Sequence, residues 1–270
     1  MKNNKLSNGI KLSSLNVWGG TIYEELIEYI KKQSKDTDIF CFQEVFHSKE
    51  SKISNGVKTD LYDNLLKILP EFTGFYAPII TGYDTQVKVD FDLAFGQATF
   101  VRKNVELISE ETYFVHGEYD FAPPAIIEGI TDGMDLPRNI HCIKIKVNGK
   151  EVLIGNFHGY WMPGAKTDSS QSIAQIEAIL KIYDSFEGPK IITGDFNLRP
   201  DTKSIGILEE KMTNLIKEFG IGTTRSTHYK KTTEKFADYI LISDEIKVKS
   251  FDVPNETVSD HLPLLLEFTI

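Results

Sequence analysis

The stretch PKIITGDFNLRP, residues 189–200, carries an aspartate and an asparagine two positions apart, Asp195 and Asn197. Side chains alternate along extended chain, so these two can project from one face while Phe196 turns to the other. The same parity relates Asn156 and His158 in VLIGNFH. Other polar residues stand at the ends of apolar runs: Asn16 after IKLSSL, Glu44 in DIFCFQE, Asp238 in FADYILI, and Asp260 with His261 opening DHLPLLL. One carboxylate at a strand end is commonly a cap or a turn former. Several together need a shared cause, because each unpaired buried charge costs on the order of several kcal/mol. A cation held at one rim supplies that cause. The donors are carboxylates, an amide and nearby histidines, without thiolates, which suits Mg²⁺ or Mn²⁺ better than Zn²⁺. Such a centre fits hydrolysis of a phosphate ester. The ion neutralises charge, a carboxylate activates water and a histidine steadies the transition state.

Only four of the 30 basic residues are arginines: Arg102, Arg138, Arg199 and Arg225. A chain that otherwise uses lysine can reserve the planar guanidinium fork for phosphate. Arg138, Arg199 and Arg225 are accordingly expected to contact substrate, with the polar loop TTRSTHYKK (223–231) lining the groove or simply solvated. His47, His116, His141 and His228 fit no motif and read as surface or core histidines.

Something must position these side chains. The 270 residues suffice for one large α/β domain, and neither repeats nor a linker-like tract divide them, so one domain over 1–270 is expected. β-branched and alternating runs predict strands at IKLSSLNVW, TDIFCFQEV, FTGFYAPII, LAFGQATFV and VELISEETYFV, and Asn148-Gly149 predicts a two-residue hairpin turn. Helical spacing marks TIYEELIEYIKKQ, DLYDNLLKIL with Asp60 as its cap, SSQSIAQIEAILKIY, and SIGILEEKM capped by Asp201 or Thr202. Residues 116–137 interrupt the pattern with Gly and Pro, as functional excursions do. Hairpins mixed with crossover helices predict two packed, mainly antiparallel sheets with helices outside.

Composition narrows the class further. A net charge of −9 argues against a broad non-specific grip on nucleic acid while leaving room for a nuclease with a few local cations. No apolar run reaches the ~20 residues of a membrane span. The N-terminus, MKNNKLSNGIKL, has no secretory apolar stretch, and a cytoplasmic location is expected. Cys41 and Cys142 lie in apolar strands and read as buried free thiols.

The segments LNVWGG, FCFQEV, GNFHG, TGDFNLRP, FADYILIS and SDHLPL occur in this order between residues 15 and 264. Together they resemble the endonuclease/exonuclease/phosphatase superfamily, the DNase I-like fold, a four-layer α/β/β/α sandwich. The resemblance implies Glu44 as the main Mg²⁺ ligand with Asn16 beside it, and Asp260 binding metal directly or through water. It further implies that Asp195 orients or deprotonates the attacking water and that Asn197 holds the scissile phosphate. His261 would bond a phosphate oxygen with Asp238 fixing its ring, and His158 would be the second active-site histidine. Two departures stand out. Phe95 replaces the acid that usually pairs with the histidine, with Asp92 as a substitute, and SSQSIAQ offers Ser172 and Gln175 where an Arg is usual. The resemblance is least to the exonuclease III-like, inositol-polyphosphate 5-phosphatase and secreted branches. It leaves intracellular phosphodiesterases of the tyrosyl-DNA phosphodiesterase and deadenylase kinds. A phosphate-ester substrate is implied, DNA or RNA among the options. A phosphomonoesterase acting on a small metabolite or lipid headgroup is the alternative, and an inactive binding module the distant one. No partner protein is indicated.

Overall fold

The runs at the centre of each sheet become strands buried on both faces, because each sheet is covered by the other sheet on one side and by helices on the other, whereas Glu106–His116 and Lys247–Asp252 at the edges stay largely exposed. The computed structural model of the chain describes residues 9–84, 87–122, 135–162, 164–231 and 233–270. Its strands are β1 (Ile10–Asn16), β2 (Ile39–His47), β3 (Ile53–Ser54), β4 (Val57–Lys58), β5 (Phe72–Thr81), β6 (Ala94–Arg102) and β7 (Glu106–His116). They continue as β8 (Arg138–Val147), β9 (Lys150–His158), β10 (Lys190–Asp195), β11 (Thr213–Asn214), β12 (Asp238–Ile242), β13 (Lys247–Asp252) and β14 (Leu264–Thr269). The helices are α1 (Tyr23–Gln33), α2 (Leu61–Ile68), α3 (Ser170–Asp184), α4 (Lys203–Glu209) and the short α5 (Leu215–Glu218).

Two six-stranded sheets result, in the orders β13-β14-β1-β2-β6-β5 and β11-β12-β10-β9-β8-β7, with β3-β4 a separate small hairpin. Each large sheet contains one parallel pair, β1–β2 or β9–β10, and is otherwise antiparallel. The crossovers those parallel pairs demand are α1 and α3. The expected sandwich is therefore present, as two mixed sheets with flanking helices. Along β2, Phe40 and Phe42 pack with Leu26, Ile30 and Leu65 of the helices. Ile39 and Cys41, one residue out of phase, join Ile143, Ile154 and Ile191 between the sheets. Each such fully buried side chain contributes about 1.5–3 kcal/mol.

Local signals explain the termini. Asn148 and Gly149 both take positive φ, as a type I′ turn requires. Ser169 and Ser172 form a reciprocal capping box at the start of α3, and Thr202 caps α4. Asp60 occupies the N-cap position of α2 without a capping bond, and its carboxylate pairs with Lys58 at 3.1 Å instead. Of the excursion at 116–137, residues 123–134 lie outside the described residues. Among the described residues no helix is long and apolar enough to cross a membrane.

Sheet register brings the polar strand ends together. Asp195 lies opposite both His158 in β9 and Asp238 in β12. β1 ends at Asn16 on the facing sheet, and its side chain reaches across to Asp195.

Candidate active site

Glu44 does not end its strand, as the sequence suggests. β2 runs on to His47, and Phe42 pairs with Ala98 while Val45 pairs with Gly96, so Gln43 and Glu44 oppose the single residue Gln97. This is a β-bulge with Glu44 at φ 56°, and it re-aims the carboxylate without ending the strand. The Asn16 amide sits between the two sheets' acids. Its Nδ2 donates to Glu44 Oε1 at 2.9 Å and to Asp195 Oδ2 at 3.0 Å, while its Oδ1 accepts from the Trp18 amide at 2.9 Å. Asn16 thus turns its nitrogen to both carboxylates and its oxygen to the Trp18 amide. Burial, then the Asp260 carboxylate, push Glu44 above its usual pKa.

Asp195 and Asn197 project into the site, and Phe196 turns back to pack edge-on against Phe157 and Tyr239. Asp195 Oδ1 accepts from the Asn197 amide at 2.8 Å, which helps hold Asn197 at φ 57°. Gly194 has φ 139°, and a Cβ there would collide with the carbonyl oxygen of Phe157 in the neighbouring strand. Burial acts to raise Asp195, but His261, His158, Arg225 and Lys166 outweigh it and hold the carboxyl well below the usual range.

Lys166 is the residue that sequence reasoning missed. It lies in the loop after β9, is 5% exposed, and donates from Nζ to Asn197 Oδ1. Burial lowers its pKa to about 8. Its only sequence signal is a lone lysine on the loop that leaves the strand bearing His158.

On the other flank His261 Nδ1 faces Asp238 Oδ1 at 2.7 Å, and Asp238 Oδ2 accepts from Thr224 at 2.8 Å. His261 precedes β14 without opening it and forms an isolated bridge with Arg225 in the 223–231 loop. Burial and Arg225 act to lower the ring's pKa, but Asp238, Asp260 and Asp195 prevail and raise it. Arg225 Nη1 lies against His261 Nε2 and 3.6 Å from Asp260 Oδ2, while its guanidinium rests on the Tyr229 ring. With the ring protonated, two donors face a common point. An anionic oxygen relieves that arrangement.

His158 is handled differently. Phe95 presents its ring edge-to-face at 6.3 Å, and Arg138 Nη1 faces Nδ1 at 3.4 Å. Burial and Arg138 drive the ring's pKa well below its ordinary value, so a neutral imidazole carries its proton on Nε2. Asp92 is no substitute for the missing acid: it is exposed, and its carbonyl accepts from Ser48. Arg138 is 5% exposed, its Nε has no hydrogen-bond partner, and among the described residues it pairs with no carboxylate within 4.0 Å. Arg199, by contrast, spends its fork on Glu234, with Nε donating to Oε2 at 2.9 Å. Ser172 belongs to the capping box, and Gln175 accepts from the Tyr160 amide at 3.0 Å, tying the loop after His158 to α3.

The donor set fits a hard divalent cation. Ligand atoms of Glu44, His158 and Asp195 lie within 4.8 Å of one another, as do those of Asp195, Asp238 and His261. Carboxylate oxygens dominate, and the two cysteines are buried elsewhere in strands.

Comparison with known proteins agrees with this fold. The chain resembles an endonuclease/exonuclease/phosphatase from Bacteroides vulgatus with TM-score 0.70 at 18% identity, covering 97% of this chain and 98% of that one. The mannosyl-6-phosphatase of Bacteroides thetaiotaomicron VPI-5482 superposes with TM-score 0.69 at 17% identity, covering 97% and 100%. The human Nocturnin catalytic domain with bound sulfate anion gives 0.67 at 18%, covering 97% and 94%. At these identities the likeness is one of fold. No curated protein matches the chain in sequence. The profile of the Endonuclease/Exonuclease/phosphatase family matches residues 13–261, and the chain belongs to that family.

Proposed function

We propose that this protein is a Mg²⁺-dependent phosphodiesterase, able to use Mn²⁺, that cleaves a phosphodiester in a nucleic acid or nucleotide-like substrate. The observation that carries the reading is the convergence of Asp195, Asn197, His158 and His261 beside the Glu44 and Asp260 carboxylates, with buried cations around them. Glu44, with Asp260 and Asp195 alongside, would hold the cation, which supplies neutralisation of charge on the phosphate. Asp195 accepts from the attacking water and orients it. The free Nδ2 proton of Asn197 holds a phosphate oxygen, Gly159 O having taken the other at 3.2 Å. Protonated His261, braced by Asp238, donates to the phosphate, and neutral His158 donates from Nε2. Arg138 and Arg225 flank the same centre as phosphate contacts. The chain acts as one domain, in the cytoplasm.

One observation favours a second reading. Three buried cations, Arg138, Lys166 and Arg225, accompany the histidines. That charge suits the dianion of a phosphomonoester, and one structural neighbour is named as a mannosyl-6-phosphatase. A product-resolved screen with Mg²⁺ separates the readings. It offers single- and double-stranded DNA, RNA, a 5′-tyrosyl oligonucleotide, sugar and inositol phosphates, and a lysophospholipid. Turnover of diesters over monoesters supports the first reading, and the reverse order supports the second.

A further inference from the structure

Asn197 holds the scissile phosphate only if its carboxamide points the right way. A carboxamide can turn over, exchanging an acceptor for a pair of donors at little steric cost. Two of its neighbours decide the orientation. Lys166 is a donor with no acceptor capacity, so the atom facing its Nζ must be Oδ1. Gly159 O is an acceptor, so the atom facing it at 3.2 Å must be Nδ2. Gly159 can approach this closely because a Cβ there would strike the backbone of Phe196. One Nδ2 proton is thereby used, and the second is left without a partner among the described residues.

Lys166 is itself held. Its carbonyl accepts from the Arg199 amide at 2.8 Å, and Arg199 is anchored on Glu234. Among the described residues no carboxylate lies within 4.0 Å of its ammonium, although it is 5% exposed. A lysine buried on an amide oxygen, without an ion pair, is costly unless that contact serves the site.

We infer that Lys166 is a positioning residue: its hydrogen bond to Asn197 Oδ1 locks the carboxamide so that the remaining Nδ2 proton meets the scissile phosphate. The inference takes its substrate from the phosphoesterase reading above, but the lock itself is a property of the two side chains.

The test compares wild type, Lys166→Met, Lys166→Gln, Asn197→Ala and the Lys166→Met/Asn197→Ala double variant, after each has been shown to be folded by its melting transition. Hydrolysis of bis(4-nitrophenyl) phosphate with Mg²⁺ gives kcat and KM. Lys166→Met is expected to lower kcat by about 10–100-fold with little change in KM, because a misoriented donor is lost mainly from the transition state. Lys166→Gln, which keeps a neutral donor, should recover a good part of that loss. In the Asn197→Ala background the lysine should matter little, within about threefold, because it acts through the missing amide. Equal impairment in Met and Gln variants overturns the inference, as does a full multiplicative loss in the double variant; either means the ammonium acts on substrate directly. Amide NMR reads the lock without turnover. One Asn197 Nδ2 proton should exchange slowly in wild type and quickly in Lys166→Met, and unchanged exchange overturns the lock. A wild type that hydrolyses no phosphoester with Mg²⁺ or Mn²⁺ defeats the phosphoesterase reading alone, and the NMR comparison then decides the lock.

Discussion

Asn16 shows how a single side chain decides what its neighbours can do. Its amide nitrogen bridges the carboxylates of Glu44 and Asp195, which come from different sheets. Removing that donor leaves two acids facing each other without a mediator. Asn16→Ala should weaken divalent-ion affinity by about 10–100-fold while the fold survives, measured by Mn²⁺ titration calorimetry. Unchanged affinity would mean the bridge is incidental. Asn16 was visible in the sequence as a polar strand end, but its role was not, because an amide's two ends look alike until their partners are known. His158 teaches the same lesson. The absent acid was legible as Phe95, yet the group that replaced it, Arg138, sits 20 residues upstream on an adjacent strand.

Between residues and fold stand the strands and loops that aim them. Parity made Asp195 and Phe196 readable, since alternation is local, whereas Asn197 lies beyond β10 at φ 57° and is held by the bond from its backbone amide to Asp195. The bulge at Glu44 was not readable, because it exists only relative to β6. Lys166 and Arg199 lie in loops whose geometry depends on Glu234, 35 residues beyond Arg199. Arg199→Ala should lower the urea midpoint, because it leaves the Glu234 carboxylate without its guanidinium partner. The arginine's hydrogen bond outweighs burial and holds Glu234 below its ordinary 4.5, so this contribution is complete above about that pH and lost as pH falls through the lowered value. The stability gap between wild type and Arg199→Ala should therefore narrow below pH 4.5. Gly194 sets a stricter limit. A Cβ would meet the backbone of Phe157 at a φ that favours glycine, so Gly194→Ala should destabilise by more than about 3 kcal/mol. A variant melting near wild type would contradict the close strand approach.

Taken whole, the molecule is an acidic body of net charge −9 that concentrates a few cations at one rim. The family profile spans residues 13–261, and β14 pairs with β1 in the sheet that carries Glu44. This charge pattern limits how the protein can hold a polyanion. If the substrate is nucleic acid, log affinity should fall with log salt at a slope of about −2 to −3, as expected for three local cations. A slope of −6 or steeper would require an extended basic face. In the proposed reaction Asp195 serves a cation-assisted hydrolysis at this rim. The most direct measurement is kcat/KM with Mg²⁺ for wild type and Asp195→Ala, on whichever phosphoester the screen identifies. Asp195→Ala should lose about 10³-fold or more with the fold intact. Activity within tenfold of wild type would contradict it.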